Sequence, residues 1–223
     1  MKLLSIGLLA TALAGCQQRQ DTTPPPPPPA AQAAPDPAAK ATAPVAPPAE
    51  SAAAAASPPM LALTANALQL VSQPGGSARE IPFGMPLEQL VATVSRVLQV
   101  PVASIGINGE CGAGPLKMAS WPNGLTLAFQ QNKSSKAASA PQWRFVGWYL
   151  GAPAGKGPGL TTMAGIGFGS TRAELESAYS IQVSTSSLGQ EFATSSGLYG
   201  ILDGSTPQAK ITSLWSGTSC NFR

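Results

Sequence analysis

Hydrophobic residues recur with helical spacing in one segment of the chain. The apolar positions are Leu87, Leu90, Val91, Val94, Val97 and Leu98. This spacing places all six on one face of an α-helix. Pro86 suits the first turn of such a helix, Glu88 is favourable near its positive end, and Pro101 is expected to end it. The pattern therefore predicts an amphipathic helix here.

A second, shorter helix is predicted later in the chain. Ile166-Gly167-Phe168-Gly169 echoes Ile81-Pro82-Phe83-Gly84, and a leucine follows at the same distance in each case. Thr171-Arg172-Ala173-Glu174 has the sequence of a capping box and should open a helix that runs through Leu175 to Tyr179. The echo indicates two related halves, although so few matching positions also arise by chance.

Strand-like apolar runs surround both helices. Leu68 and Leu70 alternate around Gln69, and further runs cover residues 125–129, 144–150, 198–202 and 210–215. Neither half has enough apolar surface to fold alone, so the two should share one core. The sequence predicts an α+β domain over residues 60–223, built as two tandem helix-then-antiparallel-sheet units with possible halves 60–151 and 160–223.

The N-terminal segment has the features of a signal peptide. Lys2 precedes an apolar run over residues 3–13, which is too short to span a bilayer. The run ends in Leu13-Ala14-Gly15-Cys16, which resembles the lipobox of bacterial lipoproteins. The resemblance implies removal of residues 1–15 and acylation of Cys16, with two or more chains giving a stable membrane anchor. An ordinary secretory signal with a chance cysteine is the alternative.

The lipobox resemblance also suggests a location. In lipoproteins of Gram-negative bacteria, an Asp after the acylated cysteine favours retention in the inner membrane, and Gln17 stands there instead. The expected location is therefore the periplasmic face of the outer membrane. Residues 16–59 are mostly Pro and Ala and predict a disordered tether, whose polyproline parts would reach on the order of 100 Å. A peptidoglycan- or partner-binding role for this segment is the alternative to a passive spacer.

The composition argues against several kinds of functional site. The net charge is +3 and the basic residues are not clustered, so no nucleic-acid partner is expected. The chain has no histidine, the commonest general base and metal ligand. Gly165-Ile166-Gly167-Phe168-Gly169 lacks the spacing of a dinucleotide loop and is better explained as a close turn into the second helix. We expect no cofactor and no metal.

Two further side-chain groups contain residue types that occur in catalytic sites. A Ser–Lys dyad, for example one that uses Ser135, has no supporting motif. Glu174 and Glu176 are simply explained as a helix cap and a solvated helix face. The glycine-rich segment 155–159 lacks the rest of a phosphate-loop pattern and is expected to connect the two halves. No residue is therefore assigned a catalytic role.

The two cysteines other than Cys16 are expected to pair. A secreted domain meets an oxidising compartment, where two cysteines usually form a disulfide. Cys111 and Cys220 are not spaced as a redox motif, and two cysteines without histidine do not complete a zinc site. The bond would tie the segment after the first helix to the C-terminal part of the chain.

The domain also shows a looser resemblance to binding proteins of the cell envelope. Gly84-Met85-Pro86, followed by Glu88 and Leu90, opens the first helix. With the helix-then-sheet plan, this phrase resembles the small lipoprotein of the outer-membrane β-barrel assembly machine and the tandem-repeat β-lactamase inhibitor protein. That resemblance implies binding rather than catalysis. The inhibitor closes each repeat with its own disulfide, whereas here one bond would join the halves.

These observations give a leading function and two rivals. The leading hypothesis is a non-catalytic envelope lipoprotein whose periplasmic domain binds another envelope component, either a protein or peptidoglycan. The rivals are an enzyme that acts on cell-wall or lipid substrates and a purely structural spacer. Four tryptophans stand in the domain: Trp121, Trp143, Trp148 and Trp215. Most are expected in the core or on a sheet face, and one or two exposed together would form a binding surface.

Overall fold

The computed structural model describes residues 58–132 and 142–220. The signal peptide, Cys16, nearly all of the tether and Ser135 lie outside the described residues, so the predictions made for them stay predictions. The described strands are β1 Met60–Leu63, β2 Ala67–Val71, β3 Ala78–Pro82, β4 Ser104–Asn108, β5 Leu116–Ser120, β6 Leu125–Gln131, β7 Trp143–Leu150, β8 Ile181–Ser186, β9 Gly189–Thr194, β10 Leu198–Leu202 and β11 Ile211–Gly217. The described helices are α1 Leu87–Leu98 and α2 Arg172–Ala178.

The strands form two antiparallel sheets. A small sheet contains β1, β2 and β3 in chain order. The large sheet contains the other eight strands in the order β4-β5-β6-β7-β11-β10-β9-β8. Strands β4 to β7 pair in chain order, and so do strands β8 to β11. The two groups are joined where β11 pairs with β7. β11 therefore lies in the middle of the large sheet, with β7 on one side and β10 on the other.

The predicted α+β class is wrong. The described domain is mainly β, with two short helices, and its eight main strands form one continuous sheet instead of one small sheet in each of two tandem units. A further three-stranded sheet precedes α1. The prediction gave too much weight to two short amphipathic segments. It also missed strands β1, β3, β4, β5, β8 and β9, several of which are polar or exposed and carry little alternation.

Both helices form where the sequence places them. In α1 the buried positions are Leu87, Leu90, Val94 and Leu98, and Pro86 stands at the N-cap. The helix ends with Gln99 in the left-handed conformation, two residues before Pro101. In α2 the predicted capping box is present: the Thr171 side chain accepts from the Glu174 amide, and the Glu174 carboxylate accepts from the Thr171 amide.

The main core lies between α1, the small sheet and one face of the large sheet. Leu127, Phe129, Phe145 and Trp148 of β6 and β7 pack there with Leu90 of α1. Two indole N–H groups donate across the layers: Trp121 to the Ser95 hydroxyl at 3.1 Å and Trp148 to the Thr64 carbonyl at 2.8 Å. These bonds satisfy donors that burial would otherwise leave unpaired.

Candidate functional site: a cleft on the open face of the large sheet

The large sheet has a second face, opposite the main core, which we call the open face. One residue of each strand forms a row across it, in continuous register: Ser104, Ser120, Thr126, Tyr149, Trp215, Tyr199, Ala193 and Gln182. Side chains that are directly opposite on neighbouring strands share a face, with their Cβ atoms about 4.5–5.5 Å apart. The row therefore brings three aromatic side chains together on β7, β11 and β10, in the middle of the sheet.

Two of these aromatic rings stack on each other. The ring centroids of Tyr199 and Trp215 are 6.2 Å apart and their planes differ by 20°. Trp215 is buried, at 6% exposure, whereas Tyr199 is 38% exposed. Tyr199 therefore stacks on Trp215 and still presents part of its ring to solvent.

A cleft of about 490 Å³ opens beside this row. Its apolar lining comes from Met118 on β5, Ile201 on β10, Leu188 in the turn between β8 and β9, and the ring of Tyr149. Polar lining comes from Asn108, Ser120, Thr126 and Ser213, and Cys220 stands at one end. Of the described residues that line the cleft, none carries a charged side chain. The volume falls within the usual range for ligand-binding cavities.

The hydroxyl groups in the cleft are paired with each other. Ser120 Oγ and Thr126 Oγ1 are 2.8 Å apart, and Tyr149 Oη and Ser213 Oγ are 2.9 Å apart. Both pairs join neighbouring strands and lie partly buried. A hydroxyl has one donor and two acceptor lone pairs, so each pair keeps one O–H donor and further acceptor lone pairs for a bound group. The cleft thus offers directional polar contacts on an uncharged, partly apolar surface.

A disulfide closes one end of the cleft. Cys111 and Cys220 are bonded, as the sequence predicted, with their sulfur atoms 2.05 Å apart; the two residues are 109 positions apart in sequence. Leu116 and Ala128 pack against Cys111 in a second small hydrophobic cluster on the open face. The Asn108 side-chain amide donates to Cys220 Sγ at 3.2 Å. The bond therefore fixes β4, β5 and the segment after β11 to one another.

Two glycines allow that segment to lie close to the sheet. Gly147 of β7 pairs with Gly217 of β11, and Thr218 N donates to the Val146 carbonyl at 2.8 Å. A Cβ atom on Gly147 would overlap the backbone of Thr218. Gly147 is therefore required by this close approach, which sets the path of the chain toward Cys220.

The structure exposes none of the four tryptophans at its surface. All four are buried, with exposures of 9% or less. Trp148 and Trp121 belong to the main core, Trp215 lies on the open face under Tyr199, and Trp143 carries the Lys117 ammonium 4.7 Å from its ring centroid. Burial in the core or on a sheet face is what the sequence predicted for most of them, and the exposed aromatic group beside the cleft is a tyrosine, Tyr199.

The remaining sequence candidates have structural explanations. Gly167 lies so close to the Leu160 carbonyl that a Cβ would overlap it, as expected for a tight turn into α2. In the segment 155–159, the Pro158 carbonyl accepts from the Asn123 side-chain amide at 3.1 Å.

Glu174 caps α2, and its two hydrogen bonds from Thr171 hold the pKa of this carboxyl below its usual value. Glu176 pairs with Arg172 at 2.7 Å.

The sequence-based predictions did not identify the cleft. Its residues come from six strands and two loops, and only the pairing of β7 with β11 brings them together. The one available signal was the aromatic residue near the end of two apolar runs, Tyr149 and Trp215. These two residues prove to be direct neighbours across that pairing.

Two further features are absent from residues 58–132 and 142–220. Among the described residues, no cluster of three or more histidine, cysteine, aspartate or glutamate side chains is arranged to hold a metal ion. Neither described helix has the length and apolar character needed to cross a membrane. In comparisons with known proteins, no protein family, no curated protein and no solved structure matches the chain.

Proposed function

We propose that this chain is a non-catalytic cell-envelope lipoprotein whose domain binds another envelope protein in the cleft of the open face. The observation that carries the proposal is the cleft beside the row Tyr149–Trp215–Tyr199. The anchor is the lipid on Cys16, and the location is the periplasmic face of the outer membrane. Both rest on the lipobox sequence and on Gln17.

The composition of the cleft favours a protein partner. The centres of protein–protein interfaces are rich in Tyr, Trp and Met and poor in charged side chains. Met118 and Tyr149 line the cleft, and Tyr199 lies next to it on the same face. Methionine is flexible and adapts its shape to an apolar partner surface. The lining therefore suits an uncharged segment of polypeptide that carries apolar side chains.

The polar groups of the cleft would orient such a segment. The Ser120–Thr126 and Tyr149–Ser213 hydroxyl pairs lie on neighbouring strands, within the floor of the cleft. Backbone N–H and C=O groups of a bound segment can hydrogen bond to them without breaking either pair. A partner that brought a charge into the cleft would lose hydration without gaining a countercharge from its lining.

The Pro- and Ala-rich segment fits the same proposal. Residues 16–59 would act as the spacer between the lipid and the domain, with a reach on the order of 100 Å. A domain on such a tether can search a wide zone above the membrane while it stays attached.

Cys16→Ser tests the anchor directly. The variant should lose lipidation and leave the membrane fraction. Full membrane retention with unchanged processing would contradict the proposed anchor.

The binding proposal is tested by photo-crosslinking in the full chain. A photoreactive residue is placed at Leu188, on the rim of the cleft and 41% exposed, and a control residue at Gln89 on the exposed side of α1. Irradiation of intact envelopes should give one protein adduct from position 188 and none from position 89. Ser213→Arg, which fills the cleft with a charged side chain, should remove the adduct, while Ala92→Arg on α1 should leave it.

Each other outcome decides against the proposal. Equal adducts from positions 188 and 89 would indicate random capture. An adduct made of peptidoglycan fragments would assign the cleft to glycan instead of protein. No adduct from either position, in a folded and anchored chain, would favour the spacer hypothesis. Turnover of a cell-wall or lipid substrate by the purified chain would favour the enzyme.

A further inference from the structure

The large sheet has two outer edges, and they differ in chemistry. β4 forms one edge and β8 the other. On β8 the apolar residues Ile181 and Val183 pack against the main core, and its exposed residues are Gln, Ser and Thr. On β4, Ile105 and Ile107 are 47% and 61% exposed. β4 is thus the edge that leaves large apolar side chains in solvent.

β4 also lacks the usual protection of an exposed edge. Natural sheets guard their edges with charged residues, proline, bulges or covering segments. The outer strand of the small sheet, β3, has Arg79, Glu80 and Pro82. β4 reads Ser-Ile-Gly-Ile-Asn, has no charge or proline, and within the described residues pairs with β5 alone. Its outward backbone N–H and C=O groups are available to another strand.

The sequence of β4 is symmetric about Gly106. If two copies pair antiparallel with Gly106 opposite Gly106, each Ile105 stands opposite an Ile107, and each Ser104 stands opposite an Asn108. Ile105 and Ile107 lie on one face of the strand, because side chains two apart share a face. This register brings four isoleucines together on one side and polar side chains together on the other. The close approach at the centre meets no side chain, since Gly106 has open space around it.

We propose that β4 is a self-association edge, through which two copies of this chain pair about a twofold axis at Gly106. The pairing makes one continuous sheet from both copies and covers the exposed isoleucines. A closed twofold contact of this kind uses the same surface on each copy and does not propagate. Five residues per strand bury less than the roughly 1,200 Å² of a stable interface, so the dimer is weak in dilute solution.

The symmetric register makes a sharp test possible. In the proposed dimer the two residues at position 106 are direct partners, with Cα atoms about 4.5–5.5 Å apart, which suits a disulfide. Gly106→Cys in the full chain should give a covalent dimer under mild oxidation. Ser104→Cys is the matched control, because its partner in this register is Asn108 and the two introduced thiols lie far apart. The unsubstituted chain, run alongside, gives the background from Cys16, Cys111 and Cys220.

We expect at least tenfold more dimer from Gly106→Cys than from Ser104→Cys. Adding Ile107→Lys to Gly106→Cys should lower the yield at least tenfold, while adding Ile107→Val should keep it. Equal yields from positions 104 and 106 would overturn the proposal, because they indicate random collision. An adduct with a different protein would assign the edge to another partner and would also overturn it.

A second measurement avoids the introduced cysteine. Sedimentation of the unsubstituted full chain should show an average mass that rises toward that of a dimer with increasing concentration. Ile107→Lys should stay monomeric over the same range, with an unchanged circular dichroism spectrum as evidence of folding. An unsubstituted chain that stays monomeric at high concentration would overturn the proposal. None of these results depends on the partner of the cleft, which lies on the open face.

Discussion

The indole nitrogen of Trp148 donates a 2.8 Å hydrogen bond to the main-chain carbonyl of Thr64. Trp148 belongs to β7 in the large sheet, and Thr64 stands in the turn between β1 and β2. The bond therefore crosses from one sheet to the other inside the main core. Trp148 is fully buried. If the indole is removed, water can reach the Thr64 carbonyl only after the surrounding side chains rearrange.

Trp148→Phe should destabilise the domain by about 2–4 kcal/mol. The change leaves the Thr64 carbonyl without its donor and opens a void, and both effects cost free energy. Urea unfolding followed by circular dichroism measures the loss. Trp143→Phe is the control, because Trp143 lies at the edge of the core and its indole makes no comparable bond between the sheets; its loss should be clearly smaller. Equal losses would contradict the role of the bond.

Gly147→Ala should destabilise the domain, and Gly106→Ala should not. A Cβ on Gly147 meets the backbone of Thr218, and such overpacking typically costs about 1–3 kcal/mol. A Cβ on Gly106 meets open space, so that variant should stay within about 0.5 kcal/mol of the unsubstituted chain. The comparison uses the midpoint of urea unfolding for both variants. A Gly147→Ala chain of unchanged stability would mean that the chain beyond β11 moves away freely.

Loss of the disulfide should cost roughly 2–5 kcal/mol of stability. Cys111 and Cys220 are 109 positions apart, so the bond restricts a long loop in the unfolded chain. Cys220→Ser, Cys111→Ser and the double variant should all lose the same amount, because each removes the same bond. Reduction of the unsubstituted chain should reproduce that loss. A double variant as stable as the oxidised chain would contradict a stabilising role.

The α2 cap should make stability depend on acidity. Hydrogen bonds from Thr171 hold the pKa of Glu174 below its usual value of 4.5. The folded state therefore favours the ionised carboxylate, so this contribution is complete above the unfolded pKa and is lost as pH falls through the folded pKa. Glu174→Gln keeps a capping-box residue but cannot ionise, so it should show a smaller loss of stability below about pH 4.5. Identical acid profiles for both chains would contradict this.

Thr171→Ala removes both of the hydrogen bonds that the threonine side chain makes in the same cap. An N-cap of this kind typically contributes about 1 kcal/mol, so a loss of that size is expected at neutral pH. Thr171→Ser, which keeps the hydroxyl, should restore most of it.

The sequence predicted some elements well because their signals are local. The apolar spacing from Leu87 to Leu98 and the Thr171–Glu174 capping box each lie within one element, and both helices formed there. The Cys111–Cys220 pair could also be predicted, since the chain has just one cysteine besides these two. Edge strands β4 and β8 were missed because they are exposed or polar along most of their length.

The fold class and the cleft depend on pairings that no local pattern records. Two separate small sheets and one continuous sheet have the same strands; the difference is whether β11 pairs with β7. That pairing also makes Tyr149 and Trp215 neighbours, although they stand on distant parts of the chain. Asn108 and Cys220, at the end of the cleft, are 112 positions apart. The site is therefore a product of strand register.

The central position of β11 affects how the domain folds. β11 comes last among the described strands, yet it fills the middle of the large sheet. Until it arrives, β7 and β10 each have an open inner edge, and such edges attract wrong strands in partly folded chains. A chain in which β11 has not yet paired with β7 and β10 therefore has no complete cleft, because Ser213 of β11 lines it and Trp215 of β11 stands beside Tyr149.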